Sequence, residues 1–193
     1  MSKVIVPKGA VDAVARQAGR FLRLEVEPRL IKEFKEIKGK MLSDFDNHPI
    51  TKELDQKTSA VPSAFVPRGS LYGFIGFEKT DDPTEVVRQM LNESELKFIK
   101  IKGGTVDFKV FYPSKEELFQ ATPLPWAMGR SWLKGIESGL SGLGQYLNAD
   151  TDESRSGGGI QSEIDTGTGR FRATKYISEI LNNFIKKIDN LSL

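Results

Sequence analysis

The sequence predicts an α+β fold: a small, mainly antiparallel sheet flanked by a long N-terminal helix, a glycine-containing helix and a C-terminal helix. Three observations point there. Apolar residues recur at three- and four-residue spacing near both ends of the chain, which is helical periodicity. Two runs in the middle alternate instead, and Gly103-Gly104 between them is a hairpin signal. The resulting order is helix, strand, helix, hairpin, short helix, helix, helix, which is that of an α+β domain.

Residues 1–8 read as an extended arm, VIV followed by Pro7. A helical pattern follows in Val11, Val14, Ala18, Phe21 and Leu22. Pro28 either kinks this helix or starts a second one. The pattern resumes with Leu30, Phe34, Ile37, Met41 and Phe45, with lysines and glutamates on the opposite face, and His48-Pro49 stops it. Residues 48–70, rich in Pro, Ser and Thr, read as a loop-like connector. Leu71–Phe77, LYGFIGF, reads as a strand with close backbone approaches at its glycines. Asp82 as N-cap, Pro83 at the first helical position and Glu85 completing a capping box then start a helix carrying Val86, Val87, Met90 and Leu91.

In the hairpin, alternation puts Leu96, Phe98 and Lys100 on one face and Lys97, Ile99 and Ile101 on the other. Val106, Phe108, Val110 and Tyr112 alternate with Asp107, Lys109 and Phe111. Pro113 ends the second strand, and Ser114 with Glu117 forms a capping box for a short helix through Phe119. The stretch 122–147 opens with Pro123-Leu124-Pro125-Trp126 and becomes a helix pattern in Leu133, Ile136, Leu140, Leu143 and Leu147. Each interior glycine costs a helix about 1 kcal/mol relative to alanine. Gly135, Ser138, Gly139 and Gly142 nevertheless share one small-residue face, which reads as a surface for close backbone packing. Residues 148–170 are polar and glycine-rich, a mobile loop if alone, with Ile160 and Ile164 able to anchor a brief strand. Ile177, Ile180, Leu181, Phe184, Ile188 and Leu191 mark the closing helix. The expected organisation is a domain over 1–147 and an extension over 148–193 packed on or between subunits.

The composition bounds the function. The chain has 193 residues, 38% hydrophobic and 28% charged, with a net charge of +2. That near-balance argues against a dedicated nucleic-acid binder. There is no cysteine, so disulfides, thiolate catalysis and cysteine metal sites are excluded. No apolar run approaches a membrane span, and the N-terminal stretch lacks a signal peptide's apolar core, so the expected compartment is the cytoplasm of whatever cell makes it.

No set of residues reads as a catalytic, metal or cofactor site. The single histidine, His48, precedes a proline at a helix end and reads as a surface or C-capping residue. Ser70 in RGSLYG lacks the G-x-S-x-G setting of a nucleophile elbow. Asp81-Asp82 and Glu116-Glu117 sit at helix starts, where the macrodipole accounts for them. Asp150, Asp152 and Glu153 lack calcium-loop spacing, and the glycines at 157–159 follow no strand and precede no lysine. Arg130, Arg155, Arg170 and Arg172 could meet phosphates, but the near-neutral charge favours salt bridges to a protein neighbour. The candidate interface residues are Trp126, Arg130, Gly135, Gly139, Gly142, Arg155, Arg170 and Arg172. Trp126 reads as an anchor with Arg130 one helical turn beyond it.

Together, RGSLYGFIGFE (68–78) and TPLPWAMGRSWLKGIESGL (122–140) resemble segments of neck or tail-completion proteins of long-tailed bacteriophages. Such proteins begin with a long helix. They carry a T/S-G-x-L strand start, matched here by Arg68-Gly69-Ser70-Leu71 with glycine and serine transposed. A proline-aromatic-arginine motif then opens a helix, matched by Pro123-Leu124-Pro125-Trp126 and Arg130. The resemblance covers roughly residues 10–147. It implies a non-enzymatic virion protein at the head–tail junction. That protein would be a homo-oligomeric ring subunit, hexameric if it follows the family, and would contact other neck and tail proteins. Nucleic acid would meet it only by passing through the ring lumen, with no membrane involved. A tail terminator capping the tail tube is the neighbouring alternative, and a small hydrolase or nucleotide-binding enzyme is the alternative of another class.

Overall fold

The N-terminal amphipathic pattern folds as one helix. The computed structural model describes residues 8–57, 63–65, 70–102, 105–125, 127–138 and 174–191. In it α1 runs unbroken over Lys8–Asn47 with Pro28 inside. Lys8 is therefore helical rather than part of an arm, and residues 1–7 lie outside the described residues. Pro28 cannot donate to the carbonyl one turn back. The helix continues because its next turns, from Leu30 and Phe34 onward, are buried in the core.

Two stretches fold differently from their sequence reading. The connector contains a helix, α2 (Pro49–Asp55), and His48 is its N-cap rather than the C-cap of α1: the Nδ1 atom accepts from the Ile50 N–H at 3.2 Å. Leu71–Phe77 is not a strand. Leu71–Ile75 forms α3, started by Ser70, whose hydroxyl accepts from Gly73 N at 3.2 Å, and closed by Gly76 at φ 90°. A residue with a Cβ is strained there, which suits glycine as a helix C-cap. The burial of Leu71, Tyr72 and Ile75 follows a helical face, not an alternating one.

Helix α4 (Pro83–Asn92) begins where expected, but Asp82 makes no side-chain cap bond and Glu85 turns forward to Gln89 and Arg88, so the capping box does not form. The box at Ser114 and Glu117 does form and starts α5 (Lys115–Gln120). Strands β1 (Glu95–Lys102) and β2 (Thr105–Phe111) pair antiparallel. Their register shifts between Phe98 and Lys100. Ile99 is the extra residue of this bulge, and it reverses the alternation beyond it. Ile101, not Lys100, therefore joins Leu96 and Phe98 on the inner face.

The proline-rich segment forms a second small antiparallel pair, β3 (Pro123–Leu124) with β4 (Ala127–Ser131), before helix α6 (Trp132–Ser138). Thr122 closes the unit, its carbonyl accepting from Trp132 N at 3.0 Å and its hydroxyl bonding Leu118 O at 2.8 Å. The closing helix α7 (Ile177–Asp189) forms as expected and buries Ile177, Ile180, Leu181 and Phe184.

One core joins the C-terminal half of α1 to α2–α7, around Trp132, Tyr176, Phe45, Phe184 and Met41. The N-terminal half of α1 has a different partner, the hairpin. The Arg23 guanidinium lies 3.7 Å from the centre of the Phe98 ring, and Gly19 is buried under Ile101. A Cβ at Gly19 would collide with Ile101 Cγ2. Alanine gains about 1 kcal/mol in helix propensity there, but overpacking of this kind costs about 1–3 kcal/mol. Gly19→Ala is therefore expected to lower stability in urea unfolding, and the same change made in an Ile101→Ala background to raise it relative to Ile101→Ala alone. Ile101→Val retains Cγ2 and should not rescue; an unconditional gain from Gly19→Ala would contradict the close packing.

Candidate functional site

Several charged groups in the described residues are bound to structural tasks. Arg88 on α4 donates to Asp46 of α1 at 2.9 Å, Asp55 of α2 at 3.1 Å and Glu85 at 2.9 Å, and lies 5.7 Å from the Phe45 ring centre. Burial alone would lower its pKa, but the bonds to Asp46 and Glu85 and the surrounding carboxylates raise it, so it is a fixed cation. Thr84 donates to Asp55 beside it. Asp82 is pushed up by burial, yet the hydrogen bond and charge of Lys57, 3.0 Å away, hold it below its ordinary value.

Two further carboxylates cap helices that start without a side-chain cap of their own or need a second acceptor. Glu53 accepts from Leu71 N at 2.7 Å at the start of α3. Glu137 accepts from Tyr176 N at 3.2 Å and Ser178 N at 2.6 Å at the start of α7. These are long-range versions of the N-cap, in which a carboxylate meets free N–H groups and the positive end of the helix. At the other helix end, Lys38 donates to the carbonyls of Asn92, the last residue of α4, and of Ser94 just beyond it. Among the described residues no cluster of three or more His, Cys, Asp or Glu side chains is arranged to hold a metal.

The unusual surface is apolar. Val14, Phe21 and Leu24 on α1 are 67%, 65% and 72% exposed, and Ile31 is 37% exposed. On the hairpin, Ile99 and Phe111 are also exposed. Helix and hairpin bury their inner faces on each other, so the exposed groups point outward from both sides of a helix–hairpin arm. Large apolar groups grouped on an exposed surface mark sites of association.

The sequence-predicted interface residues fare differently. Arg130 lies on β4 and is exposed, not on a helix one turn beyond Trp126. The prolines do not aim the chain into a helix; they frame the β3–β4 ribbon. Gly135 lies in α6 and is half-buried. Trp126, Gly139, Gly142, Arg155, Arg170 and Arg172 lie outside the described residues, as do the turn at 103–104 and the segment 148–170. Of the eight candidates only Arg130 and Gly135 lie among the described residues. The tryptophan that anchors the core is Trp132, 1% exposed and edge-on to Phe77 at 6.0 Å. The arm surface escapes the sequence reading because helical periodicity marks Val14 and Phe21 as helical without saying what covers them, and Leu24 and Ile31 fall outside the pattern read. A scan of family models and searches of curated proteins and of solved structures find no match to this chain.

His48 makes the capping network pH-dependent. Burial lowers its pKa below the ordinary 6.5, and the charge of Glu179 only partly opposes this. The protonated ring has no acceptor, so it cannot cap α2. The unfolded chain then binds more protons than the folded one just below pH 6.5, and stability falls as pH drops through that value. Unfolding midpoints measured between pH 7.5 and 5 should fall for the native chain and fall less for His48→Asn, which keeps a cap acceptor. An identical pH slope in both would remove His48 as the cause.

Proposed function

We propose that this chain is a non-enzymatic structural subunit that forms a ring at the head–tail junction of a long-tailed bacteriophage, in the manner of a neck or tail-completion protein. The helix–hairpin arm carries the reading. It presents one apolar surface on the helix side, at Val14, Phe21 and Leu24, and a different one on the hairpin side, at Ile99 and Phe111. A subunit of a closed ring needs two unlike patches, because each head-to-tail contact joins one patch to the other on its neighbour. The resemblance of residues 68–78 and 122–140 to neck proteins supplies the place in the virion. It rests on sequence motifs; among the described residues the first holds helix α3 and the second the β3–β4 ribbon followed by α6.

On this reading the other neck and tail proteins are the partners, and DNA meets the ring only in transit through its lumen. No described helix is long and apolar enough to cross a membrane. The test is electron microscopy of the purified chain and of virions decorated with antibody against it. Annular particles, and label at the neck, are expected. Label at the tube end would move the chain to the tail-terminator role. A chain that forms no ring and labels no particle would overturn the proposal.

A further inference from the structure

We infer that the outer face of α1 recognises itself: two copies of the chain pair through it as antiparallel helices, about a two-fold axis passing between Leu22 and Arg23. Val14, Phe21, Leu24 and Ile31 are separated by seven, three and seven residues, four positions of a coiled-coil seam whose other two hold Gln17 and Pro28. At about 100° per residue they fall within a sector roughly 100° wide. The core-facing residues of the same helix, Leu30 to Phe45, centre roughly 130° away, so this stripe belongs to neither the core nor the hairpin contact.

The stripe is palindromic. Val14 and Ile31 lie equally far from the midpoint between Leu22 and Arg23, and so do Phe21 and Leu24. Reversing a second copy therefore sets Val14 against Ile31 of that copy and Phe21 against its Leu24, with every apolar layer matched. The flanking charges agree. Arg20 comes beside Glu27 of the other copy on each side of the axis, and this carboxylate, which already accepts Arg23 at 2.7 Å, has lone pairs for a second guanidinium.

A parallel pair is disfavoured by the surroundings of α1 beyond Ile31. Leu42 lies on the same bearing of the helix as the stripe but packs against the core. Other elements thus occupy that side of α1 beyond the arm, and parallel helices would drive the two cores together. Antiparallel pairing overlaps only the arms. The overlap is about 25 Å long and forms an interface on the order of 1,000 Å², the lower edge for specific association, so the pair should dissociate on dilution. A two-fold contact joins a patch to itself and cannot propagate a ring. It covers the stripe in unassembled subunits and must open if the stripe is to serve a ring contact.

The absence of cysteine makes the test clean. Val14→Cys and Ile31→Cys variants of the full chain are oxidised separately and as a mixture. The mixture should give a disulfide-linked dimer. Neither variant alone should, because like positions lie about 25 Å apart in the antiparallel pair, far beyond the roughly 7 Å Cα limit of a disulfide. Light scattering should show the native chain passing from monomer to dimer with concentration. Phe21→Asp should raise the dissociation constant at least tenfold with an unchanged circular dichroism spectrum. A native chain that stays monomeric, cross-linking of either single variant, or a dimer indifferent to Phe21→Asp would overturn the inference. The inference stands apart from the head–tail reading. Annular particles without the mixed cross-link would remove the pairing alone, and a cross-linked dimer that enters no particle would remove the ring alone.

Discussion

Tyr176 is the group on which the described fold turns. Its ring is fully buried, stacked on Phe45 of α1 at 5.9 Å between centres and tilted against His48 at 4.5 Å. Its hydroxyl shares a 2.5 Å hydrogen bond with Thr51 of α2, and its N–H is accepted by Glu137 of α6. One residue thus holds four helices together just before α7 begins. A buried hydroxyl left without a partner costs about 1–3 kcal/mol, so this geometry constrains each element it touches. Burial raises the Tyr176 pKa far above the ordinary value, so the ring stays a neutral structural group.

The elements legible in the sequence are those whose signal is local and repeated. The apolar stripe of α7, the capping box at Ser114 and Glu117, and the paired runs around Gly103-Gly104 each need only a few neighbouring residues to declare themselves. Where the sequence reading fails, a competing local cue or a distant residue decides. LYGFIGF has the aromatic content of a strand, but Ser70 and Gly76 bracket one short helical turn. Glu53 then holds that turn from 18 positions away in sequence. The bulge at Ile99 interrupts the alternation, and no residue type announces it. Trp132 is hard to pick out because Trp126, framed by prolines, has the look of the anchor.

The arm is half legible. Val14, Phe21 and Leu22 read correctly as helical, with Pro28 read as a kink or a second start before the pattern resumes at Leu30. The bearings of the two stretches differ. At about 100° per residue, the apolar groups before Pro28 centre more than 100° from those after it. A single straight helix cannot aim both sets at one core. The break in bearing, visible in the sequence, separates the exposed apolar groups of the arm from the face of α1 that meets the core and, through Gly19 and Arg23, the hairpin. The cation over Phe98 and the close fit of Gly19 under Ile101 cover one side of that segment and leave the other apolar.

That remaining side is too apolar to be a resting solvent surface. Phe21 and Leu24 would each gain about 1.5–3 kcal/mol on full burial, and Val14 and Ile31 add smaller amounts. Association must offset lost translational and rotational freedom of at least ~4 kcal/mol, so four such groups can support a contact but not a permanent one. This balance suits an assembly subunit, whose surfaces must hold in the finished particle yet let go beforehand. A division of labour within the chain goes with the proposed reading. Arg88, Glu53 and Glu137 join helices within one subunit, and on that proposal the apolar face of the arm is the surface kept for association.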